Sequence, residues 1–432
     1  MGRLAEGRSR REFIGGTAAF LAALGWDGCV CVPGLAKRLP AWRPGDLDLH
    51  FIYTGCGENM FYKLPDGTSI LNDCGEFFRP AEFPMVRLLP SPDRLGGDWV
   101  SRYISRVHSG KEIDYAVFSH FHLDHIGHAK FGEPDKLDGT GSYRFRTTPD
   151  GRNIDGFLCV AEDFRIRRCL DHQYPARGTY GTQDSAMELL DGWISREQSN
   201  GLQVEPFRVG ALDQIRLVHD PEPYCGRFSI RNVSANGVLW DGRDGAEDFA
   251  AEHVRVSGEK EIAQNVLSAT FVIRYGKFSY FATGDLQGQL FARKSGGTVE
   301  FEGLAGERVG PVTVCKMSHH GCLNAMGGRF VKAVHADAYV GCMWCPSQAY
   351  PATLDRLVAE KSATGERPLI LPQLITDDFQ RPWFESRGFE LPHPGAAHVV
   401  IRVPPEGDRY RVYLLDANDE EMRVVAEFNR AC

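Results

Sequence analysis

Tyr115-Ala-Val-Phe-Ser-His120-Phe-His122-Leu-Asp124-His125-Ile-Gly-His128 is the stretch that decides the fold. Residues 115–118 are a short apolar, aromatic run of the kind that forms a buried strand. Directly after it come His120, His122, Asp124 and His125, four potential metal ligands within six residues. Residues two apart in an extended segment point the same way, so His120 and His122 can grip one ion. Asp124 and His125 follow once the chain has begun to turn, and can face a second ion beside the first. Imidazole and carboxylate ligands suit zinc, and binuclear sites hold their ions about 3.5–4 Å apart. Solvated loop histidines are the plain alternative, and the strand immediately before the cluster argues against it.

This quartet resembles the signature of the metallo-β-lactamase superfamily. The resemblance implies an α/β fold, a four-layer αββα sandwich with the metals at the rim between two sheets. Upstream, residues 47–53 alternate toward a strand, Thr54-Gly-Cys-Gly-Glu-Asn59 turns the chain, and 60–64 form a second strand. Pro65-Asp-Gly-Thr68 has hairpin-turn chemistry, and Ser69-Ile-Leu-Asn-Asp-Cys-Gly75 is a third strand. This succession is similar to the hydrolase domain of ComEC-type DNA-uptake proteins and their stand-alone relatives. The resemblance implies that Asp73 supports the metal loop from behind, although a strand-end turn residue would look the same. Asn59 and Asn72 depart from the pattern, standing where acidic or smaller residues are usual.

The pattern returns at Gln264. Strands over 269–276 and 277–283 lead to Ala282-Thr-Gly-Asp-Leu286, which resembles the motif of the carboxylate that bridges both metals, here Asp285. Two dications held close repel each other unless an anion sits between them. Asp285 is also placed to cap a helix beginning near Gln287. A strand over 311–317 ends in Ser318-His-His-Gly321, which resembles the last ligand motif. One of the two histidines is expected to bind the metal shared with Asp124 and His125. The preference falls on His319, first past the strand end, which leaves His320 to contact substrate or protonate a leaving group. A strand at 338–341, a helix at 351–361, a strand at 369–371 and a closing hairpin over about 395–420 follow. The resemblance covers 47–75, 112–128 and 262–378, with an insertion of about 129–260 between the metal motifs. Within that insertion a helix over 185–197 and strands over 204–218 and 228–233 are expected. His172 and His219 sit in no convincing motif and read as loop or core histidines. Arg165, Arg167, Arg168 and Arg177 are its densest basic group, and read as a solvated face that could also meet a phosphate.

The chain of 432 residues is 43% hydrophobic and 25% charged, an ordinary globular composition. Its net charge of -8 gives no sign of a whole-surface grip on polyanions, so nucleic acid would need a local patch. Past the N-terminus no apolar run approaches the ~18 residues of a membrane span. The twelve cysteines are irregularly spaced, and Cys342 and Cys345 read as structural thiols rather than a redox pair. Ser9-Arg-Arg-Glu-Phe-Ile14, before a mildly apolar stretch at 13–24, resembles a twin-arginine export signal. Residues 1–45 are therefore expected to be signal and linker, with the twin-arginine machinery as partner and a periplasmic or extracellular destination. Residues 46–432 are expected to form the hydrolase domain.

The function these readings imply is hydrolysis by a hydroxide that two zinc ions activate, with manganese or iron as alternatives. Six ligands are expected: His120, His122, Asp124, His125, Asp285 and His319. Asp124 also orients the hydroxide, and His320 is the second candidate catalytic residue. The resemblance points to phosphodiesters, of a small molecule or of nucleic acid. Esters, lactones or β-lactams are the alternative substrates, and a non-catalytic metal scaffold is the alternative outside enzymes.

Overall fold

The computed structural model describes residues 37–77, 87–127, 145–176, 178, 180, 184–359, 361–362 and 364–432. The twin-arginine motif at 9–14, His128 and Arg177 lie outside them.

Alternation along the strands builds the layers. In Leu47–Phe51, Leu47, Leu49 and Phe51 face the same way as Tyr62, Ile70, Tyr115 and Val117 of neighbouring strands. They meet Ile230, Phe271, Ile273, Tyr280, Val314 and Val340 of a second sheet, forming the central core. The opposite face of the first sheet, with Phe61, Leu71, Ala116 and Phe118, packs on Val100 and Ile104 of the helix Gly96–Val107 and on Trp193 and Ile194 of Asp184–Gln198. The outer face of the second sheet, with Val272, Phe281, Cys315 and Tyr339, packs on helices Phe301–Val309, Gly328–Val334 and Pro351–Val358. Helix, sheet, sheet and helix stack in that order, the αββα sandwich of the metallo-β-lactamase type.

The first sheet has nine strands, in the order Val424–Ala431, Arg409–Asp416, Ala397–Val403, Leu47–Phe51, Asn59–Lys63, Ser69–Cys74, Glu112–Phe118, Arg165–Asp171 and Gln203–Pro206. Its last four strands are parallel. The second sheet has eight, in the order Ala246–Asp248, Val238–Trp240, Phe228–Ala235, Thr270–Tyr275, Phe278–Ala282, Val314–Lys316, Ala338–Gly341 and Leu369–Pro372. Here too the last four are parallel. Parallel strands deliver loops at their carboxyl ends, where α/β sheets bind ligands. Asp73, the His120–His125 segment, Asp285 and His320 all leave such ends.

Several elements differ from the sequence reading. Within the stretch 129–260, Arg165–Asp171 and Gln203–Pro206 extend the first sheet and Phe228–Ala235 extends the second. The strand expected over 204–218 stops at Pro206, which has no N–H to give a ladder. No helix begins near Gln287. The chain runs instead into the short strand Leu290–Ala292, so Asp285 caps nothing. The C-terminal hairpin carries a third strand, Val424–Ala431. The described part of the linker is pinned to it, with Val424 N–H donating to Lys37 O at 2.7 Å and Leu39 N–H to Met422 O at 2.9 Å.

Candidate metal centre

The metal loop rests on a cradle of backbone. Glu58 N–H donates to Asp124 O at 2.7 Å, and Glu76 N–H to Leu123 O at 3.0 Å. Gly75 makes the approach so close that a Cβ there would lie 1.8 Å from Asp124 O. Gly75→Ala is therefore expected to displace the loop and lower kcat/KM by about 100-fold, since a shift near 1 Å costs that much. A steady-state assay beside a circular-dichroism spectrum checks this.

Hydrogen bonds to Nδ1 aim the imidazoles. His125 Nδ1 lies 3.0 Å from Asp73 Oδ2. Asp73, held at φ +58°, also accepts from Ser119 N–H at 2.7 Å and from the Ser119 hydroxyl at 2.6 Å. The same hydroxyl is 3.0 Å from His120 Nδ1. His320 Nδ1 donates to Cys342 O at 2.7 Å. Such partners fix tautomer and ring direction and leave Nε2 free to ligate.

The free atoms converge. Asp285 Oδ2 lies 3.1 Å from His125 Nε2, 3.2 Å from His320 Nε2 and 4.0 Å from His120 Nε2. His320 Nε2 is 3.0 Å from Asp124 Oδ2, and His120 Nε2 is 3.0 Å from His122 Nδ1. Both Asp285 oxygens, both Glu58 oxygens and His125 Nε2 are buried without a hydrogen bond of proper geometry. Buried polar atoms left in that state call for an ion. Glu58, His125, Asp285 and His320 form a wholly buried group whose ligand atoms lie within 4.8 Å of one another. The set of imidazoles and carboxylates fits a divalent transition metal, and no thiolate among these donors singles out zinc.

Burial works against protonation of His120, and neighbouring imidazoles add to it, holding the ring well below the ordinary range. Burial also opposes protonation of His125 and His320, but Asp285 with Glu58 and Asp124 outweighs it and holds both well above that range. For Asp124, burial alone would raise the carboxyl, and His125 with His320 pulls it below its ordinary value.

Five of the six expected ligand residues, His120, His122, Asp124, His125 and Asp285, are brought together here. Of the histidine pair it is His320, not His319, whose Nε2 faces this group. Both residues take positive φ, 47° and 54°, in a tight turn after the strand Val314–Lys316. That turn sends His319 sideways, with Nε2 3.1 Å from Asn265 Nδ2 and Nδ1 2.9 Å from Asn324 Oδ1. His219 lies away from the centre, 3.1 Å from Asp114 Oδ2, and His172 packs on Phe121 with ring centroids 4.4 Å apart. Arg165 and Arg167 face Glu112, at the start of the strand whose far end carries the metal loop, about 20 Å of chain away. They do not line the centre. Asn59, an unusual residue in its loop, donates to Gly57 O at 3.0 Å and Thr54 Oγ1 at 3.2 Å, holding the turn that presents Glu58.

Sequence reasoning missed Glu58, Lys316 and Trp344. Glu58 closes the Gly-x-Gly-Glu loop and Lys316 ends the last metal strand, and their positions were the available signals. Trp344 donates its indole N–H to Asp124 Oδ2 at 2.7 Å and meets Phe77 edge-on at 4.9 Å. Nothing in a lone Cys-x-x-Cys announces that role.

No protein-family model and no curated protein sequence matches the chain. A solved structure that it is similar to is the CmlA beta-hydroxylase E377D mutant, with 13% identity and a TM-score of 0.38. The alignment covers 85% of this chain and 59% of that one, so this chain matches little more than half of that structure's length.

Proposed function

We propose that the chain is a metal-dependent hydrolase of the metallo-β-lactamase superfamily that holds two divalent ions. The observation that carries this reading is the approach of three imidazoles, those of His120, His125 and His320, to Asp285 Oδ2. His120 and His122 would hold one ion, Asp124, His125 and His320 the other, and Asp285 both. Two bound dications supply a water acidified to near neutrality and positive charge for a developing oxyanion. Asp124 positions that water, and the Trp344 indole keeps the carboxylate turned inward. A structural metal site is usually closed and mononuclear, which argues against an inert scaffold.

A two-ion clamp suits in-line displacement at phosphorus, and on that ground the proposed substrate is a phosphodiester. The distance of Arg165 and Arg167 from the centre favours a small diester over a nucleic acid. A second reading, ester or lactone hydrolysis, is favoured by the neutral amides Asn265, Gln287 and Asn324 that bond to one another beside His319. The test is kcat/KM for a bis-aryl phosphodiester, nitrocefin and a simple lactone on one metal-loaded preparation. The diester is expected to be cleaved fastest, with little dependence on salt because few phosphates are contacted. Faster lactone or lactam turnover, with the diester at background, would transfer the proposal to the second reading.

No helix among the described residues is long and apolar enough to cross a membrane. Export by the twin-arginine route remains a proposal from residues 9–14. Arg10→Lys with Arg11→Lys is expected to keep the protein in the cytoplasm, and unchanged export in fractionated cells would reject it.

A further inference from the structure

We propose that Lys316 is a positioning residue whose buried ammonium, with Glu58 as its counter-ion, fixes Asp285 so that one carboxylate oxygen serves both metal positions. This inference rests on the two-ion reading above.

The lysine is wholly buried. Its Nζ donates to Gly284 O at 2.7 Å and to Met317 O at 3.1 Å, and forms an ion pair with Glu58 Oε2 at 2.8 Å. The nitrogen then stands 3.5 Å from Asp285 Oδ1. The two oxygens of Asp285 are thus divided. Oδ1 faces the Lys316 nitrogen, and Oδ2 faces the Nε2 atoms of His120, His125 and His320.

Glu58 falls inside the buried four-residue group, yet it approaches the imidazoles from behind. Its nearest contacts are with Nδ1 of His320 at 3.3 Å and Nδ1 of His125 at 4.0 Å. Those nitrogens are already engaged by Cys342 O and Asp73 Oδ2. A ligand would meet the Nε2 side. Glu58 is therefore the partner of Lys316, and one lysine offsets part of the charge of three buried carboxylates, Glu58, Asp73 and Asp285. A buried pair is costly to assemble and costlier to break by halves, so its place beside the shared carboxylate suits a positioning role better than a stabilising one.

The experiment is a stepwise cobalt(II) titration of full-length metal-free protein, read by visible absorbance and calorimetry. It compares the wild type, Lys316→Met, Glu58→Gln and the double variant, each checked for fold by circular dichroism. The double variant removes both charges together, so it avoids stranding one of them. In Lys316→Met and in the double variant the first ion should bind as in the wild type, and the second should bind about tenfold or more weakly, the scale of lost outer-shell support. Glu58→Gln, which keeps the lysine and its carbonyl partners, should change the second step by less than about threefold. A general loss of structure would weaken both steps together. Tighter binding in Lys316→Met, with loss of metal in Glu58→Gln, would make Glu58 a ligand that the lysine masks and would overturn the proposal. An unchanged second step in a folded double variant would overturn it too, while leaving the two-ion reading intact. A wild type that takes up fewer than two ions would remove both.

Discussion

Asp285→Asn is expected to leave a folded protein that holds less than one ion per chain and whose kcat/KM falls by about 1,000-fold, the scale of several kcal/mol of lost charge stabilisation. The substitution keeps size and shape. It also keeps the backbone anchor, since Asp285 N–H donates to Ser268 Oγ at 3.0 Å whatever the side chain. What disappears is the negative charge that three imidazole nitrogens share. Elemental analysis and a hydrolysis assay on the same preparation check the two halves together. His219→Ala and His172→Ala serve as controls and should spare metal and activity, because His219 pairs with Asp114 and His172 packs on the Phe121 ring. Metal loss in either control would show the ligand set to be wrong.

The second large effect is on stability. Arg402 and Asp48 are cross-strand partners, both buried, joined by two parallel bonds, Nε to Oδ1 at 2.7 Å and Nη2 to Oδ2 at 2.6 Å. Arg402→Met strands a buried carboxylate, and the expected cost is about 3–5 kcal/mol in urea unfolding. Adding Asp48→Asn should return a large part of it, because the double variant leaves no charge behind. Metal content should not change, since the pair sits at the opposite end of its strand from the loop carrying Glu58. The pH dependence has a definite sign. Burial would raise the Asp48 carboxyl, but Arg402 and His50 outweigh it and hold it below its ordinary value. The pair's contribution is therefore present above the ordinary aspartate range and is lost as pH falls through the depressed folded value. Arg402→Met should lose this part of the acid sensitivity.

The legible parts of the chain were those where local chemistry and tertiary role coincide. The strand before His120, the Pro-Asp-Gly turn and the strand leading to Asp285 each carry one strong pattern, and the structure places them accordingly. The choice between His319 and His320 was harder. Nearness to the strand end favours the first residue past Ser318, but two consecutive left-handed residues rotate the turn and aim the second one inward. Arg165–Asp171 was obscured for another reason. Arg165 and Arg167 occupy exposed positions near the start of the strand, so its sequence reads as a charged surface rather than as sheet. The pairing of Glu58 with Lys316 was invisible because nothing local relates two charges so far apart in sequence. Only the packing of the two sheets brings them to 2.8 Å.

The most direct test of the two-ion centre is the metal content of purified full-length protein after expression with zinc, manganese and iron supplied. Mass spectrometry of the digested protein should find close to two ions per chain, falling together with activity in Asp285→Asn. Less than half an ion per chain in the folded wild type would contradict the centre built around Asp285.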